Sequence, residues 1–328
     1  MPPIPTRPLA LSLERSLAAR TPDRAVRALQ GRLAELQEQV TTGLRVNRPS
    51  DDPTAYERAR YFEAESGRIG GHLRTVGAGR LWVDETAAAL SDLADYAATA
   101  HAIAVQGRND ALGPDERAAL GQRVESLLAQ SVDRLNATVD GEFVFAGNRT
   151  DQRPFNADGT PASGTLADYG GARVRRVGPS VDLALNVSGV RVQTLPAPPG
   201  PPPVVPPAVP PAVPPAVPAT PTEALRALAD ALHANDGDAI ETAMAFVTAA
   251  RDHYLELESE SGEVSARLSE AEAQLAGADV RARARRSEHE DADLFTVASG
   301  LQTTQGHLEA ALRTVATVRQ RSLLDYLR

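Results

Sequence analysis

The sequence predicts a mainly α-helical protein: a long antiparallel coiled-coil helical bundle built from both chain ends, with a small inserted β domain. Three features carry this reading. Apolar residues recur every three and four positions toward both ends of the 328-residue chain, which gives each helix one narrow seam to bury against a partner. The middle instead holds short aromatic and β-branched runs broken by Gly, Pro, Asn and Asp, the pattern of strands and turns. A proline tract then separates that middle from the helices that follow it.

Residues 1–47 are expected to form an N-terminal assembly helix with a flexible start, because the opening residues are proline-rich and the helical pattern is read from Pro22. Leu29, Leu33, Leu36, Val40 and Leu44 make its seam. The seam stops at Val46-Asn47-Arg48-Pro49-Ser50-Asp51-Asp52-Pro53. Pro49 disfavours helix at Arg48, Ser50, Asp51 and Asp52 are suited to capping a new helix, and Pro53 fits its first turn. These five residues, Pro49 to Pro53, are read as a hinge and cap.

Residues 48–140 are expected to form the N-terminal half of the helical core. Ile69, Val76, Val83, Leu90, Ala97 and Ala104 recur at intervals of seven, the spacing of a coiled coil. Gly113-Pro114-Asp115 is a turn, and a third helix carries Leu120, Val124, Leu127 and Leu135. The small β domain is expected over 141–195. Its entry, Gly141-Glu142-Phe143-Val144-Phe145-Ala146-Gly147, alternates aromatics between glycines, and further strands are expected at 173–177, 183–187 and 190–194.

A proline-rich spacer follows over 196–221, with 14 of the chain's 25 prolines and a Pro-Pro-Ala-Val unit occurring three times in succession. Such a tract reads as extended polyproline, about 3.1 Å per residue. The C-terminal half of the helical core is expected over 222–286, beginning with Leu225, Leu228 and Leu232. The C-terminal assembly helix, 287–328, is the most regular: Leu294, Val297, Leu301, Thr304, Leu308, Ala311, Val315, Val318 and Ser322 keep the three-four alternation. Neither terminal seam can bury itself alone, so the two end helices are expected to pair and to leave the β module outside the bundle.

Composition narrows the chemistry. All 34 basic residues are arginine and there is no cysteine, which removes lysine nucleophiles, a P-loop lysine, disulfides and thiolate chemistry. A net charge of −9 argues against nucleic acid as a partner. No apolar run approaches the ~18 residues of a membrane span, and the first residues lack the apolar run of a secretory signal. The six histidines, His72, His101, His233, His253, His289 and His307, are scattered singly. Asp51-Asp52 reads as capping rather than metal binding, and three matches to the glycosylation sequon carry little weight without a secretory signal. The run Arg281-Ala282-Arg283-Ala284-Arg285-Arg286 precedes Glu288, Glu290, Asp291 and Asp293 and reads as a self-neutralising helix face. The polar side of the last helix carries Gln302, Gln305, Glu309 and Gln320, which favours helix packing over a membrane surface. No catalytic, cofactor-binding or metal residue is assigned, no cofactor is expected, and the protein is not expected to be an enzyme.

Three motifs together resemble the flagellin family. They are the stretch Leu36 to Pro53 with its Pro-Ser-Asp-Asp-Pro turn, the Gly141 to Gly147 entry to a β domain, and the C-terminal Ser322-Leu323-Leu324-Asp325-Tyr326-Leu327. The first resembles the branch of that family that lies between hook and filament. The resemblance implies a structural subunit of the bacterial flagellum that joins hook to filament by helical coiled-coil packing. A filament flagellin is the alternative, and a secreted adhesin or binding module is a more distant one. It also implies partners: other copies of the chain in a ring, a hook-side junction protein, filament flagellin, and a cytoplasmic export chaperone on the C-terminal helix. Neither nucleic acid nor membrane is among them. The implied location is extracellular, in the flagellum, after type III export without a cleaved signal.

Overall fold

The structure, a computed structural model, describes the backbone of residues 9–195 and 220–326 and the side chains of 24–195 and 220–317. The proline spacer, apart from its last two residues, and the first eight residues of the expected flexible start lie outside the described residues. Helices α1 (Leu9–Thr42), α2 (Pro53–Gly107) and α3 (Pro114–Leu135) are followed by strands β1 (Thr138–Val139) and β2 (Glu142–Phe143). A 3-10 turn at Leu166–Tyr169 precedes β3 (Val174–Gly178), β4 (Val181–Ala184) and the short α4 (Gly189–Val192). Helices α5 (Pro221–His233), α6 (Gly237–Glu290) and α7 (Leu294–Tyr326) complete the chain. The architecture is mainly α with two small antiparallel sheets among the described residues. It divides into two compact units, one of Met1–Gly67 with Asp279–Arg328 and the other of Arg68–Ala278.

In the second unit, the seven-residue repeat becomes the buried edge of α2: Ile69, Val76, Val83, Leu90, Ala97 and Ala104 are all buried. Within this unit α2 and α6 run antiparallel. Arg80 pairs with Glu272 at 3.2 Å, His101 meets the Thr248 hydroxyl at 3.0 Å, and Arg108 pairs with Glu241 at 2.9 Å. At one end α3 and α5 join them around Ile103, Leu120, Val124, Leu228, Leu232 and Ile240. Gly107 makes this packing possible, since a Cβ there would stand 2.4 Å from a Leu232 methyl. The buried Arg117 ties the ends together, donating to the Gly107 and Asn109 carbonyls and to the Asn235 side chain. It satisfies carbonyls that the end of α2 leaves without helical partners.

The β module covers residues 138–194 of the same unit. Asp140 and Gly141 both have positive φ, 53° and 82°, the geometry of a two-residue hairpin turn joining β1 to β2. Phe145, Phe155 and Tyr169 fill its small core. The Asn136 amide accepts from the Phe155 N–H and donates to the Phe155 carbonyl, both at 3.1 Å, which fastens the module to the end of α3.

Four expectations are corrected. The N-terminal helix starts at Leu9, not Pro22; Leu9–Ala19 is rich in Leu and Ala, and a proline within a helix removes a single intrahelical donor bond. The run 190–194 forms no strand; Gly189–Val192 is a short helix, α4, which Ser188 caps by accepting from the Arg191 N–H at 3.4 Å. The strand expected at 183–187 forms two to three residues earlier, since the turn at Pro179-Ser180 sets Gly178 opposite Val181. The C-terminal helix expected from 287 starts instead at Leu294, because α6 runs on to Glu290.

Leu228 is fully buried in the four-helix cluster. Leu228→Ala should lower the unfolding free energy by about 2–5 kcal/mol in chemical denaturation, the usual cost of such a cavity.

Candidate assembly interface

The α1–α2 turn and the α6–α7 break meet within the first unit. Helix α1 ends on Gly43, whose φ of 74° places it in the left-handed region that closes helices. The chain then pairs with the break. The Arg45 and Val46 N–H groups both donate to the Glu290 carbonyl, at 2.7 and 3.3 Å, and the Ala292 N–H donates to the Gly43 carbonyl at 2.9 Å. Leu44 and Asp291 face each other in an antiparallel bridge. The Arg45 guanidinium adds a bond to the His289 carbonyl at 2.8 Å. Carbonyls at the end of α6, which lack helical donors, are therefore satisfied by the turn.

Residues Pro49 to Pro53 divide their work within that turn. Pro49 sits inside a turn closed by the Asp51 N–H on the Arg48 carbonyl at 3.0 Å. Asp51 accepts from the Asn47 and Arg48 N–H groups at 3.0 and 2.9 Å, and Ser50 donates to it. The helix cap is Asp52 alone, accepting from the Ala55 N–H at 3.0 Å with Pro53 as the first helical residue. Backbone donors hold both carboxylates below their ordinary range, Arg48 foremost at Asp51 and Ala55 at Asp52. So Ser50 and Asp51 close the turn and do not cap α2.

Beneath the turn lies a charge network. The Glu290 carboxylate is 5% exposed and accepts from Arg286 Nε at 2.6 Å, with Arg60 at 3.7 Å. Arg60 also pairs with Glu63, which faces Arg286. Phe62 stacks on His289, ring centroids 6.0 Å apart. Beyond the break, Asp293 caps α7, accepting from the N–H of Phe295 at 3.0 Å and from the Thr296 hydroxyl at 2.7 Å. Glu290 and Asp293 were not singled out from the sequence, where they read as part of a neutralising face. An Asp just ahead of Leu294-Phe295-Thr296-Val297 was the available cap signal.

Past the turn, α1 and α7 pack against each other, antiparallel, with Leu44 by Asp291 and Leu36 by Gly300. Of the seam residues, Leu36 and Val297 are buried. Leu29, Leu33, Leu301, Leu308 and Val315 are only half-buried by this pairing. Val40 and Leu294 are 45% and 54% exposed, and Phe295 beside them is 84% exposed. The Val318 side chain lies outside the described residues. Two helices thus leave a row of partly covered leucines along their shared length. Among the described residues no group of three or more His, Asp or Glu could hold a metal ion, and no helix is long and apolar enough to cross a membrane.

Residues 16–150 match the bacterial flagellin N-terminal helical region. Over that stretch the chain is similar to flagellins. Flagellar hook-associated protein 3 of Salmonella typhimurium is 30% identical over 130 residues, 39% of this chain and 40% of that protein. Its Escherichia coli counterpart is 30% identical over 124 residues, 37% of this chain and 38% of that protein. The match thus spans about two fifths of these relatives. In structure, the flagellar junction protein FlgL of Legionella pneumophila superposes with a TM-score of 0.54 at 15% identity, over 71% of this chain and 100% of that one. A Vibrio parahaemolyticus chain, provisionally assigned as a flagellar hook-associated protein, gives 0.61 at 15% identity over 74% and 100%. At that identity the likeness is one of fold.

Two outcomes follow from the turn. Glu290→Gln should destabilise the chain by about 1–3 kcal/mol, because Arg286 and Arg60 lose a buried charged acceptor. Glu35→Gln, which breaks a pair whose side chains are 60% and 63% exposed, should stay within about 0.5 kcal/mol; thermal unfolding of both variants checks the contrast. Asp52 has a folded-state pKa below its unfolded one. Its contribution is therefore full above about pH 4 and is lost as pH falls through the lower folded value. The stability gap between the native chain and Asp52→Asn should be constant near neutrality and close in acid.

Proposed function

We propose that the protein is a structural subunit of the bacterial flagellum that joins hook to filament through the paired helices α1 and α7. One observation carries the reading: pairing the two chain ends leaves Leu29, Leu33, Leu301, Leu308 and Val315 half-covered. Fully burying such a side chain is worth roughly 1.5–3 kcal/mol relative to leaving it exposed. Helices from neighbouring copies can supply the missing cover, and a repeated subunit in a ring supplies it symmetrically. The names of the relatives, flagellar hook-associated protein 3 and flagellar junction protein, support the place in the flagellum.

On this reading the regions divide the work. Residues 1–47 and 287–328 form the assembly arms, with Val40, Leu294, Val297 and Val318 extending the seam. Residues 48–140 and 222–286 form the helical core, 141–195 the β module, and 196–221 a spacer. The turn from Pro49 to Pro53 joins the N-terminal arm to the helix that follows it. The partners are other copies, a hook-side junction protein, filament flagellin and a chaperone that covers the C-terminal helix before export. The role is structural, outside the cell and without catalysis.

Leu301→Asp places a carboxylate where a neighbouring helix should close over it, and an unpaired buried carboxylate costs several kcal/mol. Cells carrying it as their only copy should export the protein yet be non-motile, with intact hooks, no filaments and filament protein in the medium. Glu309→Ala on the exposed face should leave motility unchanged. Full motility of the Leu301→Asp strain would contradict the reading. Filaments grown from the purified chain alone would instead favour a filament flagellin.

A further inference from the structure

A cleft of about 410 Å³ lies in the second unit, between α2 and the β3–β4 hairpin. Its floor is a single helical face, Gly71, Thr75, Ala78 and Trp82, spaced so that all four fall on one side of α2. Three of them are small, which leaves room above the backbone. Gly79 lets the hairpin approach, since a Cβ there would stand 3.0 Å from a Leu185 methyl.

Three arginines rim this cleft: Arg74, Arg173 and Arg175. Arg173 is anchored by Glu142 and lies over the Trp82 ring, 4.1 Å from its centroid. The Arg74 and Arg175 side chains make no hydrogen bond or ion pair among the described residues, although the chain carries 43 acidic residues against 34 basic ones. Trp82 is 4% exposed, and its indole N–H is buried without a partner. Unpaired like charges beside an unsatisfied buried donor mark a place that lacks an acceptor.

We propose that this cleft binds a carboxylate side chain of a neighbouring polypeptide, clamped between the Arg74 and Arg175 guanidinium groups. A guanidinium fork matches a carboxylate through two parallel N–H···O bonds. With Arg173 over its ring, Trp82 offers no free face for a sugar or nucleobase to stack on, while the small-residue floor admits an acidic side chain and its backbone. The proposal stands apart from the hook-to-filament reading, since the cleft lies in the second unit and uses no seam residue.

Trp82 is the single tryptophan of the chain, so its fluorescence reports on this cleft. The full-length protein is titrated at low salt with a short glutamate-rich peptide and, in parallel, with the same peptide carrying glutamine. The glutamate peptide should change the emission saturably and the glutamine peptide should not. Arg74→Gln with Arg175→Gln should raise the half-saturation concentration about tenfold or more while leaving the thermal midpoint in place, both side chains being exposed. Emission that does not respond, an equal response to both peptides, or a double variant that binds as well as the native chain would each overturn the proposal.

Discussion

A carbonyl at the last turn of a helix needs a donor from elsewhere, and that of Glu290 takes two, from Arg45 and Val46. Its side chain meanwhile draws Arg286 and Arg60 beneath the turn. One residue thereby joins the α6–α7 break to the α1–α2 turn through backbone and side chain together. Gly43 and Ala292 complete the strap, and Asp52 and Asp293 restart the two helices beyond it. A neutral side chain at position 290 would leave the Arg60 and Arg286 guanidinium groups with Glu63 as their remaining shared acid.

What the strap presents is a pair of helices, and a pair covers only the line where they touch. Leu36 and Val297 occupy that line and are buried. The residues a turn or more away are not, whichever helix they belong to. The second unit shows the contrast: α2 meets α3, α5 and α6, and Leu228, Leu232, Ile240 and Val124 disappear from solvent. The same leucine spacing therefore gives a closed core where four helices gather and an open seam where two do. That openness is the physical basis of the proposed assembly role.

Most of the helical architecture was legible because α2 repeats every seven residues without interruption and every member of that repeat is buried. The hairpin at Asp140-Gly141 was visible only in part; the sequence reading placed the strand after Gly141, while the pairing begins at Thr138. The break at 291–293 was placed a few residues early, between 286 and 287, because the acidic residues that follow also suit a helix face, and Arg286 does pair with Glu290 in that manner. Contacts such as Glu290 with Arg45 link positions far apart in the chain, and no local pattern announces them. The cleft beside Trp82 was hidden for the same reason, as its arginines come from two distant elements.

Because the chain has no cysteine, a single introduced thiol reads out the cover over the seam directly. Leu308→Cys should react readily with a maleimide in the purified subunit and be protected in intact flagella. Glu309→Cys, on the exposed face, should react in both. Equal reactivity of Leu308→Cys before and after assembly would show that no neighbour closes over the seam, and would contradict the assembly role proposed for α1 and α7.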